Sequence, residues 1–386
     1  MNPIRVTIIL LCLLVTPCAA IAQAPLSSIS RSEVLTDVIF NPKSEIHEIS
    51  SAMVHDENSS FIATNGGLYR LPASITRGDV AELVAFDGDR IVNLYMHEGA
   101  LYVLKYGEEV RGSAVNHTFL RSVDGGETFT PLDAGLEACL GSFCGFMNSS
   151  EAAFHDGRIF INAGGNLIVS DDDGESWTAL VGELTPAACY DPSFELIDNR
   201  VLIGGECPLD TAYIRAGELE DGELQWKREP EAVVTPELEN RNIQFIRRIG
   251  DSSIVFSGIE GALLRSSDFG ASFDFVLHFV DGESEKYPYI GHMLVSSHNP
   301  ELMLIGGFDK RKLAPYLAYS IDGGMTWTDR SRLLEFDDLD FRELVFLHED
   351  ESGRILAGVQ NFEARVIRIV ELSEGAARRR PARPRP

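Results

Sequence analysis

Four copies of one eight-residue pattern constrain this chain more tightly than any other feature. They are Ser122-Val-Asp124-Gly-Gly126-Glu-Thr-Phe129, Ser170-Asp-Asp172-Asp-Gly174-Glu-Ser-Trp177, Ser266-Ser-Asp268-Phe-Gly270-Ala-Ser-Phe273 and Ser320-Ile-Asp322-Gly-Gly324-Met-Thr-Trp327. Each reads S-x-D-x-G-x-x-[W/F] and follows a short apolar stretch. A strand, a polar turn with glycine and an aromatic residue opening the next strand form a β-hairpin signal. The four aspartates are 48, 96 and 54 residues apart. A steady period of this length marks a repeat architecture. The double gap predicts a degenerate copy, and Asp221 and Trp226 keep the five-residue offset between Asp172 and Trp177.

The chemistry of the pattern points to structure rather than catalysis. A turn aspartate accepts hydrogen bonds from backbone N–H groups that the turn leaves unpaired. Glycine adopts angles that other residues resist, and the aromatic side chain fills space between neighbouring units. The acidic run Asp171-Asp-Asp-Gly-Glu175 lacks the spaced ligands and distal glutamate of a calcium loop.

The pattern resembles the Asp-box, or BNR repeat, of sialidases, sortilin-type receptors and photosystem assembly factors, over nearly the whole chain. The resemblance implies an all-β fold: a seven-bladed β-propeller of four-stranded blades over residues 33–372. The Asp-boxes, with Asp124, Asp172, Asp268, Asp322, Trp177 and Trp327, would lie at the turn between strands three and four. Blades are expected near 46–86, 90–132, 151–180, 193–228, 243–277, 290–328 and 341–371. The stretch Glu33–Phe40 has strand composition and is expected to join the C-terminal blade, closing the ring and covering an open edge.

Residues 1–22 read as a secretory signal: Arg5, an apolar run from Val6 to Val15, and Ala20-Ile21-Ala22 before a cut. The apolar run is too short to span a bilayer. Residues 23–32 are expected to be a linker, and 373–386 a disordered basic Pro/Arg-rich tail. The expectation is a monomer that is secreted or periplasmic.

An oxidising compartment would favour disulfides among Cys139, Cys144, Cys189 and Cys207. Four cysteines allow three pairings. The blade layout favours Cys139–Cys144 in one loop and Cys189–Cys207 at the open end of one hairpin. No C-x₂-C pair or histidine cluster suggests zinc. The net charge of −26 argues against nucleic acid as a partner.

In this layout the turn motifs occupy one face. The longer loops occupy the other, where binding usually sits. The loop face carries Phe143, Phe146, Tyr190, Tyr287, Tyr289 and Phe308, with the basic run Lys310-Arg311-Lys312. Arg311 offers a two-pronged fork for a ligand carboxylate, and Tyr190, Tyr289 and Phe308 offer flat packing surfaces. The first turns of several blades carry His55-Asp56, His97-Glu98, His155-Asp156 and His348-Glu349. These read as polar turns rather than metal ligands.

The expected function is a non-catalytic exported propeller that binds a protein, peptide or glycan through the loop face, without cofactor or metal. The alternative is a sialidase-type glycoside hydrolase. Tyr69-Arg70-Leu71-Pro72 is similar to the Arg-Ile-Pro motif of sialidases, whose arginine holds a substrate carboxylate. Arg247, Arg248, Arg311 and Arg342 are candidate partners outside any motif, and no nucleophilic tyrosine–glutamate pair is assignable. No HExxH, phosphate loop or G-x-S-x-G supports another enzyme class.

Overall fold

The computed structural model describes residues 28–43, 52–109, 115–132, 146–147, 151–163, 166–180, 190–207, 211–220, 223–226, 231–232, 243–250, 252–279 and 287–374. They form a seven-bladed β-propeller of antiparallel sheets. The inner strands, in blade order, are Met53–His55, Ile91–His97, Ala152–His155, Tyr190–Ile197, Ile243–Arg248, Pro288–Val295 and Glu343–Glu349. Each blade then meanders outward. A short 3₁₀ turn, Ser331–Leu334, precedes blade 7. No helix among the described residues is long and apolar enough to cross a membrane.

The apolar core is a ring of layers rather than a single centre. Seven buried clusters each join side chains of two neighbouring blades. Between blades 5 and 6, for example, Phe245, Phe256 and Leu263 meet Ile290, Met303 and Ile305. This is why middle strands such as Val255–Ile259 and Ile355–Asn361 are buried along their whole length rather than at alternate residues: both faces of each sheet are covered.

The repeated turn is a joint between blades. Asp124 accepts from Ser122 Oγ (2.8 Å), Thr128 N (2.9 Å) and Thr128 Oγ1 (2.5 Å), while Ser122 Oγ accepts from Gly126 N (2.9 Å). Asp172, Asp268 and Asp322 repeat this set. Hydrogen bonds from the Thr128 and Thr326 side chains lead in holding Asp124 and Asp322 down to about 2. Trp177 donates Nε1–H to the Leu132 carbonyl of the preceding blade (2.7 Å). Gly324 has φ +81°, and a Cβ there would lie 2.3 Å from Phe256 of blade 5.

Closure uses both ends of the chain. Arg31–Ile39 pairs with Val366–Ser373 as the outer strand of blade 7, from Arg31↔Ser373 to Ile39↔Val366. This strand starts two residues before the expected 33–40, inside the expected linker 23–32. Arg368 fixes the seam. Its guanidinium bonds Asp37 (2.8 Å at both oxygens) and Asp338 (2.6 and 2.7 Å), and its charge lies over Phe336 and Phe341.

Two local features differ from a plain meander. In blades 2 and 4 the outer edge is shared by two short strands, Thr130–Pro131 with Phe146–Met147 and Glu223–Trp226 with Glu231–Ala232. In blades 2, 5, 6 and 7 the inner strand carries one extra residue at a matching rung: Val92, Gln244, Gly291 and Val345. A bulge bends its strand and re-aims side chains. In blade 1 the described inner strand is Met53–His55, and the first part of the expected blade 46–86, residues 46–51, lies outside the described residues.

Cys139, Cys144, Cys189, Phe143 and the segments 1–27 and 375–386 also lie outside the described residues, as does Asp221. Cys207 ends the second strand of blade 4.

Candidate functional site

Of the expected loop-face residues, Tyr289 and Phe308 lie on blade 6 with Tyr287 just before its first strand, and the basic run beside them is not a free positive patch. Lys310, Arg311 and Lys312 form the connection between the second and third strands of blade 6, around Asp309, whose side chain is 0 % exposed. Arg311 donates N–H and Nε–H to Asp309 Oδ1 (2.9 and 3.0 Å) and Nη2–H to Oδ2 (2.9 Å). Lys312 Nζ lies 3.5 Å from Asp309 and 3.7 Å from Asp329, and Lys310 Nζ lies 3.4 Å from Glu260 and over the Tyr287 ring. Burial would raise the Asp309 carboxyl, but the Arg311 bonds outweigh it and hold it below the usual range. The fork expected to receive a ligand carboxylate is therefore closed on a carboxylate of its own loop. A short run with an adjacent aspartate offers this pairing at once, because Asp309 is two residues from Arg311.

The same loop holds a feature the sequence does not advertise. Leu313 sits at φ +53° with 56 % of its surface exposed. Its N–H bonds the Asp309 carbonyl (2.8 Å). A bulky residue in the left-handed region is strained, and here the turn around Asp309 enforces it. Phe279, under the Arg311 guanidinium, and Tyr287 pack the base of this rim. Tyr289 pairs with Phe308 across the strands and donates its hydroxyl to Gln244 of blade 5. Tyr190 lies on the inner strand of blade 4, and Phe146 on the outer edge of blade 2.

Arg70 is elsewhere. It lies on the third strand of blade 1, between Glu82 (3.1 Å) and Glu127 (2.9 Å). Glu127 belongs to a repeated turn, so Arg70 stands at the turn face, away from Arg311. Arg342 bonds Asp340. The geometry brings no arginine triad together from these residues.

The turn-face histidines have separate local roles. His55 Nδ1 and His348 Nε2 are 2.8 Å apart, one donating to the other, across the junction of blades 1 and 7. Burial, then His55, pushes His348 down to about 4. His97 stacks on Phe154, and His155 contacts the Asp198 carbonyl. Among the described residues no group of three or more His, Cys, Asp or Glu is arranged to hold a metal.

The channel between the inner strands contains the polar network that sequence reasoning missed. An inner strand exposes one unpaired edge, and neighbouring blades cap it. Tyr95 accepts from Ala152 N (2.7 Å), and Glu151 accepts from Ser193 Oγ (2.8 Å) and Phe194 N (3.1 Å). Ser193 Oγ accepts from Ile246 N (2.9 Å), and Glu195 from Arg248 N (2.9 Å) and Leu196 N (3.0 Å). These bonds run from blade 2 to blade 5. Arg247 of blade 5 reaches past blade 4 to Glu151 of blade 3, with Nη1 2.6 Å from Oε1. It is enclosed by protein, yet 41 % of its side chain faces the channel space. Burial would lower its affinity for the proton, but Glu151 and Glu195 reverse that. Burial raises Glu195 and the Tyr95 phenol. Burial, then the charge of Arg247, pushes His292 of blade 6 down to about 4, so its ring is neutral near pH 7. Arg247 precedes a second arginine, and nothing in the sequence around it signals a partner ninety-six residues upstream.

No family profile matches this chain, and no curated protein matches it significantly. Solved structures do. YCF48 bound to D1 peptide superposes with TM-score 0.58 at 13% identity, covering 91% of this chain and 98% of that one. The GH74 xyloglucanase from Xanthomonas campestris gives 0.54 at 16% identity, covering 87% of this chain and 52% of its own, so this chain spans about half of it. The WD40 propeller domain of Doa1 gives 0.53 at 11% identity, covering 90% and 96%. At these identities the likeness establishes the propeller fold alone.

Proposed function

We propose that this chain is an exported, non-catalytic propeller that binds a protein or peptide segment across its loop face, with the rim of blade 6 as the main contact. The observation that carries the reading is Leu313, held exposed in a strained conformation by a turn built on a buried carboxylate. A rigid apolar knob at the edge of a face suits a segment that buries an apolar residue against it. Arg311 serves this site by shaping the turn, and Lys310 and Lys312 brace it through Glu260, Asp309 and Asp329. Tyr289 and Phe308 belong to the strands behind the rim, and Tyr190 to the inner strand of blade 4. A propeller neighbour that holds a peptide, YCF48 with its D1 peptide, supports a peptide as the class of partner. The apolar run Val6–Val15 and the cut after Ala22 support export, to the periplasm or beyond.

The test is a selection of random twelve-residue peptides on the immobilised mature protein, followed by affinity measurements on Leu313→Ser and Lys310→Glu/Lys312→Glu variants. Loss of about tenfold in affinity on Leu313→Ser, with an unchanged melting temperature, is expected. Selected peptides that bind the Leu313→Ser protein as tightly as the native one would sink the proposal.

A further inference from the structure

We infer that the turn face at the junction of blades 5 and 6 is a docking surface for a partner protein, taking a segment that carries a carboxylate beside an apolar side chain. The surface lies at the opposite end of blade 6 from Leu313 and does not depend on the rim. Its first component is an arginine that the repeat places three times. Arg70, Arg121 and Arg265 lie on the third strands of blades 1, 2 and 5, opposite the aromatic residues Phe61, Tyr102 and Phe256 of the second strands. The guanidinium groups of Arg121 and Arg265 lie over those rings, at 5.8 and 6.0 Å. Two of the three are closed by carboxylates. Arg70 bonds Glu127 in the turn of the next blade (2.9 Å) and Glu82 on its own outer strand (3.1 Å), and Arg121 meets Asp173 in the turn of blade 3 (3.7 Å). Arg265 has neither hold. Asp274 takes the cross-strand place of Glu82, but its side chain is one carbon shorter and makes no bridge. Met325 takes the place of Glu127: each follows the turn glycine, Gly126 or Gly324, that packs on Phe61 or Phe256. Among the described residues no carboxylate pairs with Arg265, and its buried Nε–H has no acceptor.

The second component is apolar. Met325 is 57 % exposed and Ile321, in the same turn, is 48 % exposed. Two large apolar side chains open to water beside an uncompensated guanidinium define the chemistry of the occupant. The Asp322 carboxylate between them is already committed to Ser320 Oγ, Thr326 N and Thr326 Oγ1. The junction of blades 1 and 2 shows the geometry in which a carboxylate meets this arginine, and there the chain supplies Glu127 itself. At the junction of blades 5 and 6 that acceptor must come from outside. A carboxylate gains charge-assisted hydrogen bonds from Arg265, whereas a cation is repelled and an amide makes the weaker neutral contact. An apolar neighbour of that carboxylate covers Met325 and Ile321 and removes their surface from water. The unbranched thioether of Met325 adapts to side chains of different shape. The guanidinium belongs to a strand of blade 5 and the apolar pair to a turn of blade 6, so an extended protein segment laid across the junction meets both.

The experiment titrates three blocked peptides, acetyl-Leu-Glu-Leu-amide and its Gln and Lys counterparts, into the full-length mature protein. The readout is the δ1-methyl resonance of Ile321, assigned by its absence in Ile321→Val. The Glu peptide is expected to shift it saturably and to bind about fivefold more tightly than the Gln peptide, with no saturable shift from the Lys peptide. Arg265→Gln should erase the preference for Glu over Gln. Met325→Glu supplies internally the counter-ion that Arg70 receives from Glu127. It should weaken the Glu peptide about tenfold without lowering the melting temperature. This variant keeps the test informative if Arg265→Gln does not fold. The inference is overturned if the Gln or Lys peptide binds as tightly as the Glu peptide, if no saturable shift appears, or if Met325→Glu binds unchanged. Loss of the shift in Leu313→Ser would put the peptide on the rim and overturn it too. A shift that grows with protein concentration alone, and vanishes in Met325→Glu, would make a second copy of this chain the occupant in place of a partner protein. Failure here leaves the peptide selection on Leu313 untouched, and failure there leaves this titration intact.

Discussion

Arg311 and Arg247 stand on adjacent blades and use their guanidinium groups in opposite ways. At the rim, Arg311 closes both prongs on Asp309, two residues away and fully buried, so its charge is consumed in fixing one turn. In the channel, Arg247 engages one nitrogen with a partner two blades distant and leaves the rest facing open space. A run of basic residues in an acidic chain attracts attention as a binding patch, yet its neighbours in sequence are its first available counter-ions. Arg247, with Arg248 beside it, takes its counter-ion from two blades away through the fold. The useful quantity is thus the unpaired donor edge, which only the tertiary structure sets.

The sharpest way to break this comparison is to remove each arginine in turn and measure stability. Arg311→Met leaves the Asp309 carboxylate buried with backbone donors but no guanidinium. It is expected to destabilise the protein by about 3 kcal/mol, the usual scale for breaking a buried pair. Arg247→Met should cost about half of that, because Glu151 keeps Ser193 Oγ and Phe194 N and the channel admits solvent. Denaturant unfolding of both variants checks this. Equal losses, or a larger loss for Arg247→Met, would erase the distinction between a structural rim arginine and a channel arginine with donors to spare.

Much of the architecture was legible in the sequence because its signals are local. Ser, Asp, Gly and an aromatic residue within eight positions specify the turn and its internal bonds wherever the turn sits. The period then orders the blades, and the strand-like Glu33–Phe40 has a natural place beside Val366–Ser373. The site was less legible. The bulges at Val92, Gln244, Gly291 and Val345 leave no compositional mark. The Glu151–Arg247 contact joins residues that hold the same repeat register, each twenty-one positions before its turn aspartate, Asp172 or Asp268, yet a shared register puts equivalent residues on separate inner strands and does not by itself announce a contact that skips a blade. Leu313 looks like an ordinary loop leucine until its φ angle is known. Local chemistry fixes turns, while inter-blade polar contacts depend on how the ring closes.

Acid should separate the two regions next. The channel carries His292 and, at its turn-face end, His348, both pushed down to about 4 mainly by burial. In the unfolded chain a histidine titrates near 6.5. Between those values the unfolded state binds more protons at the histidines, so their contribution is complete above about pH 6.5 and is lost as the pH falls towards 4, while Glu343 of blade 7, pushed up to about 7 by burial, works in the opposite sense over that range. The loss should be on the order of 2 kcal/mol per histidine. The rim behaves differently. Asp309 is held below its ordinary value, so its contribution persists until the pH falls below the usual aspartate range. Thermal melts from pH 7 to 4 should therefore show a slope that flattens in His348→Leu and His292→Leu and is unaltered in Lys310→Gln. A native slope that survives both histidine substitutions would place the acid sensitivity outside the channel.

The smallest effect tests whether the two regions are mechanically joined. The inner strand of blade 6 begins at the rim, where Pro288 pairs with Asp309 and Tyr289 with Phe308, and continues past the Gly291 bulge to His292 in the channel. Two residues on that path have a polar hold on the neighbouring blade: Pro288, whose carbonyl accepts from Gly261 N (3.2 Å), and Tyr289, through its hydroxyl to Gln244, itself the bulge residue of blade 5. Tyr289→Phe removes that hydroxyl and little else. It is expected to reduce stability by about 1 kcal/mol, the net worth of an ordinary hydrogen bond. If the strand is a rigid lever, loosening its upper end should also broaden the His292 ring resonances without altering peptide affinity at Leu313. If the His292 signals are identical in Tyr289→Phe and the native protein, rim and channel are independent regions of one scaffold. If peptide affinity falls as well, Tyr289 belongs to the rim contact itself, and the border between the two regions must move inward to the bulge.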